Sequence, residues 1–207
     1  MLKQSFKDQP EFDTYLIEQK TRQEKGYLTC SERETFKKMS DKIYKPTFIK
    51  EEKPKLPIVT NIDELRKPCQ EVIKEDKIPE IIQKLKDTLD SVGGLGLSAN
   101  QIGILKKISY IKLPKIVDKK LEYKEIILIN SKIIEKSNPI KIQNEQCLSL
   151  PGISITTKRF IFITIECLNE NLKPQIGVMQ DLESLVCQHE HDHQNGKLIL
   201  ARRWRAE

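Results

Sequence analysis

The chain has 207 residues, 38% hydrophobic and 32% charged, which suits one folded domain with a moderate core and some extra length. The formal charge of +6 is a mild bias toward acidic partners such as RNA, but a Lys-rich solubilising surface accounts for it more simply. No apolar run approaches the roughly 18 residues of a membrane span, so no membrane insertion is expected. Asp8, Glu11, Asp13, Glu18 and Glu24 speak against a secretory signal and an acid-poor transit peptide. The cysteines Cys30, Cys69, Cys147, Cys167 and Cys187 are odd in number and follow no disulfide-framework spacing. That points to a reducing compartment, a cytosol or an organelle matrix.

Residues 1–55 differ from the rest: they are charged and almost without Val. Two amphipathic helices are predicted there. One covers 11–24, with Phe12, Tyr15, Leu16 and Gln19 on one face. The other starts at Ser31, where Ser31-Glu32-Arg33-Glu34 reads as a capping box ahead of Phe36, Met39 and Ile43. Pro46, Pro54 and Pro57 punctuate a linker. A compact domain over 56–207 is expected after it. Residues 79–92 carry Ile81, Ile82, Leu85, Leu89 and Val92 at helical period, with Pro79 suited to a first turn. A Gly-rich turn, Gly93-Gly94-Leu95-Gly96, follows. Then β-branched runs dominate at 107–112, 121–129, 132–136 and 153–168, close enough for antiparallel pairing. A last helix is predicted over 181–194, stopped by Asn195-Gly196. The order of arm, helix, strands and helix is α+β.

The last helix carries all three histidines, in Gln188-His189-Glu190-His191-Asp192-His193. His189 and His193 are four apart, so at roughly 100° per residue they lie about 40° apart on one face, with Leu182, Leu185 and Val186. Glu190 falls beside that face. This is the H-E-x-x-H arrangement: two nitrogen ligands for a metal and a carboxylate able to take a proton from water. Clustering of every histidine within five positions makes a chance occurrence a poor explanation. His191 points away and is expected at the surface or in packing. Asp192 flanks the ligand face, as a support for a ligand or, slightly favoured, a structural ion pair.

H-E-x-x-H does not choose a reaction. No histidine and only one acid, Glu207, follow His193, so a third ligand must come from upstream. Cys147, in the turn-like Asn144-Glu145-Gln146-Cys147-Leu148-Ser149-Leu150-Pro151-Gly152, is the candidate. A buried free cysteine is the usual fate of a lone Cys, and spacing alone tips slightly that way. Cys167, beside core residues of a β run, and Cys187, on the far side of the helix, compete.

Three segments together resemble the peptide deformylase family. Its motifs are Gly-x-Gly-Leu-x-Ala-x-Gln, Glu-Gly-Cys-Leu-Ser and Gln-His-Glu-x-Asp-His. Here they read Gly94-Leu95-Gly96-Leu97-Ser98-Ala99-Asn100-Gln101, Glu145-Gln146-Cys147-Leu148-Ser149, and Gln188 to His193, in the same order across roughly Leu56–Leu200. The resemblance implies an α+β fold with antiparallel β-sheets packed around a C-terminal metal-binding helix, and a helix ahead of the Gly-rich turn. It implies metal ligands Cys147, His189 and His193, general base and acid Glu190, and oxyanion donors at the Gln101 amide and the Leu148 backbone N–H. Gly94, Leu95 and Gly96, with Gln146 bordering them, would line the substrate cleft. The metal would be one divalent ion, usually Fe2+ in the family, with Zn2+, Ni2+ or Co2+ as substitutes. The activity implied is removal of the N-formyl group from the initiator methionine of nascent polypeptides.

The chain departs from the family at Gln146, where glycine is common, and at Ser154, where bacterial members often have arginine. It also lacks a long basic C-terminal helix after His193, closing on Arg202-Arg203-Trp204-Arg205 and two further residues. The 1–55 extension has no counterpart in the resemblance. It reads as a partner-binding arm, for example to ribosomal protein or rRNA, or equally as a cover for its own domain. A bacterial-type cytoplasm or a mitochondrial matrix fits. A non-catalytic, deformylase-like subunit of a ribosome-associated assembly is the alternative function. A zinc peptidase is disfavoured by the missing downstream ligand.

Overall fold

The computed structural model describes residues 56–118 and 120–205. The helices expected within 1–55 lie outside the described residues. Two compact units are distinguished. One has described residues 56–113 and 124–205; the described part of the other is 114–118 and 120–123, where Lys115 pairs with Glu122 at 3.1 Å.

Helix α1 (Ile62–Leu65) is one turn, started by Asn61, whose side chain accepts from the N–H groups of Asp63 and Glu64. Leu65 is fully buried beneath it. Helix α2 (Ile78–Val92) has Pro79 in its first turn and ends at Gly93, which takes φ 76. Its apolar stripe, Ile78, Ile81, Ile82, Leu85 and Leu89, is buried against Leu97, Ile108, Tyr110 and Ile129. Each such side chain removed from water contributes about 1.5–3 kcal/mol.

Five strands follow: β1 (Gly96–Ser98), β2 (Ile108–Val117), β3 (Lys120–Gln146), β4 (Ser154–Leu168) and β5 (Pro174–Gln180). They form one sheet in the order β1-β2-β3-β4-β5, with antiparallel pairing of β1 to β2, β3 to β4 and β4 to β5. A 3-10 turn over Ala99–Ile102 leaves β1. Helix α3 (Asp181–Gln194) and a second 3-10 turn, Ile199–Arg202, complete the chain's described elements. The fold is α+β, as the element order predicts.

Two differences from the sequence reading have physical causes. The runs 121–129 and 132–136 belong to one strand, β3, whose register with β4 shifts between Ile129 and Lys132, Ile133 and Glu135, and Ile142 and Glu145. Asn130, Asn138 and Asn144 take positive φ in it, a conformation asparagine tolerates, and each shift resets the alternation that marks a strand. Strand β5 carries Ile176 and Val178 outward, at 68% and 71% exposure, and Pro174 and Gly177 blunt its β signal further.

Helix α3 ends where expected. Gly196 (φ 63) passes so close to Arg66 that a Cβ would sit 2.7 Å from its carbonyl oxygen. The helix is buried on more than one face. Val186 and Cys187 pack on Ile111, Leu128, Ile163 and Ile165, while Glu190 and His193 are also buried. Among the described residues no helix is long and apolar enough to cross a membrane.

Candidate metal centre

The turn after β3 delivers Cys147, and α3 delivers His189 and His193. One ligand atom from each lies within 4.8 Å of the others. Cys147 Sγ is 3.2 Å from His193 Nε2. Two ligands of one tetrahedral ion, with bonds of about 2.3 Å to sulfur and 2.0 Å to nitrogen, stand about 3.5 Å apart. The donor set and its spacing therefore fit a divalent metal. The imidazole of His189 is oriented: its Nδ1 bonds to Glu145 Oε1 at 2.8 Å, leaving Nε2 for the Cys147 side. His193 Nδ1 is buried with no hydrogen-bond partner among the described residues.

Behind the three lies an ionic network. Arg159, 2% exposed, grips Glu145 with two nitrogens: Nε donates to Oε2 at 3.0 Å and Nη2 to Oε1 at 2.6 Å. Thr157 Oγ1 also donates to Glu145. The third nitrogen of Arg159, Nη1, donates to Asp192 Oδ2 at 2.6 Å, and Arg202 binds the same carboxylate. Burial pushes the Glu145 carboxyl up, but His189 and Arg159 outweigh it and hold it well below the usual range. Burial likewise opposes charge on His189, but Cys147 and Glu145 raise it well above an ordinary histidine. Burial and the neighbouring charge of His189 push His193 well down.

Glu190 faces the strand β1. Its Oε2 accepts from Ser98 Oγ at 2.7 Å, and burial raises its carboxyl against the pull of His189 and Ser98. Gln101 is fixed by the Ser98 N–H, which donates to its Oε1 at 2.9 Å. Its amide nitrogen is thereby turned toward Cys147 Sγ, 3.8 Å away, and Ser149 Oγ, 3.1 Å away. Gly94 (φ +138) runs beside Leu148: a Cβ there would lie 3.0 Å from Leu148 Cδ1. Leu95 is half-buried, and its carbonyl accepts from Lys112 N–H at 2.8 Å. Gly96 pairs with Ile111 and abuts the Glu190 carboxylate.

The structure thus brings Cys147, His189, His193, Glu190, Gln101 and the Gly94–Gly96 stretch together. Gln146 is exposed, one residue before Cys147, and lies opposite Ser154 in the β3–β4 ladder, so the two departures from the family pattern form one cross-strand pair. Cys187 is fully buried in an apolar cluster, with Cys167 half-buried against it. His191 bonds to Ser131 Oγ at 2.9 Å. Sequence reasoning missed Glu145 and Arg159 as partners of the centre. Glu145 carried a signal, as the acid that opens the Glu145-Gln146-Cys147 segment at the end of β3. Arg159 carried none. Asn100 was missed too: its Nδ2 donates to the carbonyls of His193, at 3.0 Å, and Leu65, at 3.2 Å.

Known proteins agree with this geometry. Residues 56–207 match the family model described as polypeptide deformylase. A peptide deformylase of Elusimicrobium minutum is 35% identical over 136 residues, 65% of this chain and 77% of that protein. The crystal structure of a peptide deformylase from Legionella pneumophila superposes with a TM-score of 0.63 at 30% identity, covering 73% of this chain and 87% of that one. That of the peptide deformylase from Thermotoga maritima gives 0.64 at 26%, covering 74% and 100%. The chain belongs to the peptide deformylase family.

Proposed function

We propose that this chain hydrolyses the N-formyl group from the initiator methionine of nascent polypeptides, and that Cys147, His189 and His193 hold one divalent metal for the purpose. The observation that carries the reading is the convergence of these three ligands within 4.8 Å beside a buried carboxylate, Glu190.

A divalent metal bound there supplies Lewis acidity for the hydrolysis. Glu190 accepts the proton of the attacking water and passes it to the leaving amine, a task its raised carboxyl suits. Charge that builds on the formyl oxygen is met by the Gln101 amide N–H and the Leu148 backbone N–H. The bond from Ser98 holds the Gln101 amide before reaction, so no reorganisation is needed in the transition state. The backbone of Gly94, Leu95 and Gly96 pairs with the peptide, and Gln146 borders it. Glu145 holds the His189 ring through Nδ1.

The metal is proposed to be Fe2+, with Zn2+, Ni2+ or Co2+ able to substitute. The setting is a reducing compartment, a bacterial-type cytoplasm or a mitochondrial matrix. Residues 1–55 are proposed as an arm separate from the 56–207 domain, tying the enzyme to a larger assembly such as the ribosome.

The test is formate release from formyl-Met-Ala-Ser by the full chain, prepared anaerobically with iron. No release from metal-loaded protein would overturn the activity. In Glu190→Ala, turnover is expected to fall by at least about 100-fold with metal retained. Loss of metal in that variant would show that Glu190 has another role.

A further inference from the structure

Three stretches of this chain contain no acidic residue: 136–144, 153–165 and 195–205. The fold brings them together. Lys141 of β3 stands directly opposite Lys158 of β4, and next to Lys158, Thr157 bridges to Arg203 of the C-terminal segment. Trp204 N–H donates to the Thr156 carbonyl, and Lys141 Nζ lies 5.8 Å from the centre of the Trp204 ring. Arg205 follows, exposed. On the flank, Lys136 lies over Phe160, and burial together with Arg202 and Lys197 lowers its ammonium.

Two acids of the described residues beside this face are already engaged. Glu145 and Asp192 are both engaged by Arg159, and Asp192 also by Arg202. Among the described residues Lys141, Lys158, Arg203 and Arg205 have no salt-bridge partner. Like charges directly opposite on a ladder destabilise a sheet, and Lys141 and Lys158 are such a pair.

We propose that this face, centred on Lys141, Lys158, Arg203 and Trp204, docks single-stranded RNA through its phosphate backbone. A polyanion matches the uncompensated charge, and Trp204 offers a ring on which a base can stack in place of Lys141. A lipid surface matches less well, because none of the large exposed apolar side chains lies in the three stretches, and membrane-surface binding needs such side chains. The choice of RNA rests on the proposed function, since the ends of newly made polypeptides are found beside RNA.

The test is fluorescence anisotropy of a labelled single-stranded RNA of about 20 nucleotides, titrated with the full metal-loaded chain at several salt concentrations. The triple variant Lys141→Glu, Lys158→Glu, Arg203→Glu is compared with Lys67→Glu, Lys74→Glu, Lys84→Glu, which changes exposed lysines elsewhere. Both triples bring the formal charge of +6 to zero. The first is expected to weaken binding by at least about tenfold and to flatten the log–log salt slope by about 2, while the second changes both much less. Formate release, measured on the same samples, is expected to stay at the wild-type level in both. It separates a lost docking face from a lost fold, and a wrong docking proposal from a wrong activity. The proposal is overturned by absent RNA binding in the wild type, or by equal effects of the two triples. It is overturned equally if polyglutamate, duplex DNA or phosphatidylserine vesicles bind as tightly as RNA at the same salt.

Discussion

Gly96→Ala tests the placement of Glu190 without touching either its chemistry or a metal ligand. A Cβ at position 96 would sit 2.5 Å from Glu190 Oε1 and 2.9 Å from its Cδ and Cγ. Ordinary contacts between such atoms are about 3.5–4.0 Å, so the carboxylate must retreat by about 1 Å. It has little room, being 2% exposed and tied by Oε2 to Ser98 Oγ at 2.7 Å. Gly96 is not in the left-handed region, so alanine brings no strain of its own to β1. A misplacement of about 1 Å in a proton-transferring group costs on the order of 100-fold in rate, or about 2.7 kcal/mol in the barrier. Steady-state kinetics on formyl-Met-Ala-Ser, with metal analysis of the same sample, should show kcat lowered about 100-fold at full metal content. Gly177→Ala is the control. Its Cβ would meet only Met179 Cε, at 2.9 Å, the free end of a flexible chain, and activity should be unchanged. Wild-type kcat in Gly96→Ala, within about threefold, would refute the reasoning that the carboxylate's position sets the rate.

Asn100→Ala removes the two bonds that tie the His193 and Leu65 carbonyls to the turn bearing Gln101. The His193 carbonyl keeps the Gly196 N–H at 3.0 Å, but the buried Leu65 carbonyl loses its side-chain donor, which should cost about 1–3 kcal/mol, read as a lower urea midpoint at unchanged slope. Asp76 accepts from the Ile73 N–H and pairs with Lys106 at 2.9 Å. Burial pushes its carboxyl up, but these partners hold it below the ordinary value of 3.8. A lowered carboxyl contributes stability that is present above the unfolded-state value and lost as pH falls through the folded one. Asp76→Asn should therefore lower stability at pH 7 by up to about 1 kcal/mol, and the difference from wild type should shrink as pH falls through the lowered folded-state value. A constant difference across that range in chemical denaturation would refute the ionic origin.

Much of the centre is legible in the sequence because local spacing sets it. His189, Glu190 and His193 need only helical geometry, and α2, β4 and α3 follow from periodicity and the glycines or prolines at their ends. What joins the centre to the sheet is not local. Arg159 lies 14 residues from Glu145 and 33 from Asp192, and only the pairing of β3 with β4 under α3 brings them together. The full length of β3 is hidden for a different reason, since its register shifts, two of them at Asn130 and Asn144, break the alternation by which a strand is recognised. Strand β5 is hidden because its β-branched Ile176 and Val178 face out. The half-buried setting of His191 also depends on a partner, Ser131, supplied by β3 across 60 residues.

Two carboxylates interact with His189, and their surroundings sort them. Glu145 receives donors from Arg159, Thr157 and His189, so it is a fixed anion with its oxygens engaged. Such a group can orient a ring but has little freedom to exchange protons. Glu190 has burial raising it and a single hydroxyl, Ser98, on its Oε2, so its two protonation states lie closer in energy. That is the condition for taking a proton from water and giving it up within one turnover. The two glutamines made from them should therefore fail differently. Glu190→Gln keeps its metal and loses turnover. Glu145→Gln weakens metal affinity by about 10–100-fold, because the His189 Nδ1–H loses its anionic acceptor, and recovers part of its turnover when metal is supplied in excess. If excess metal restores Glu190→Gln instead, the assignment of the two carboxylates is reversed.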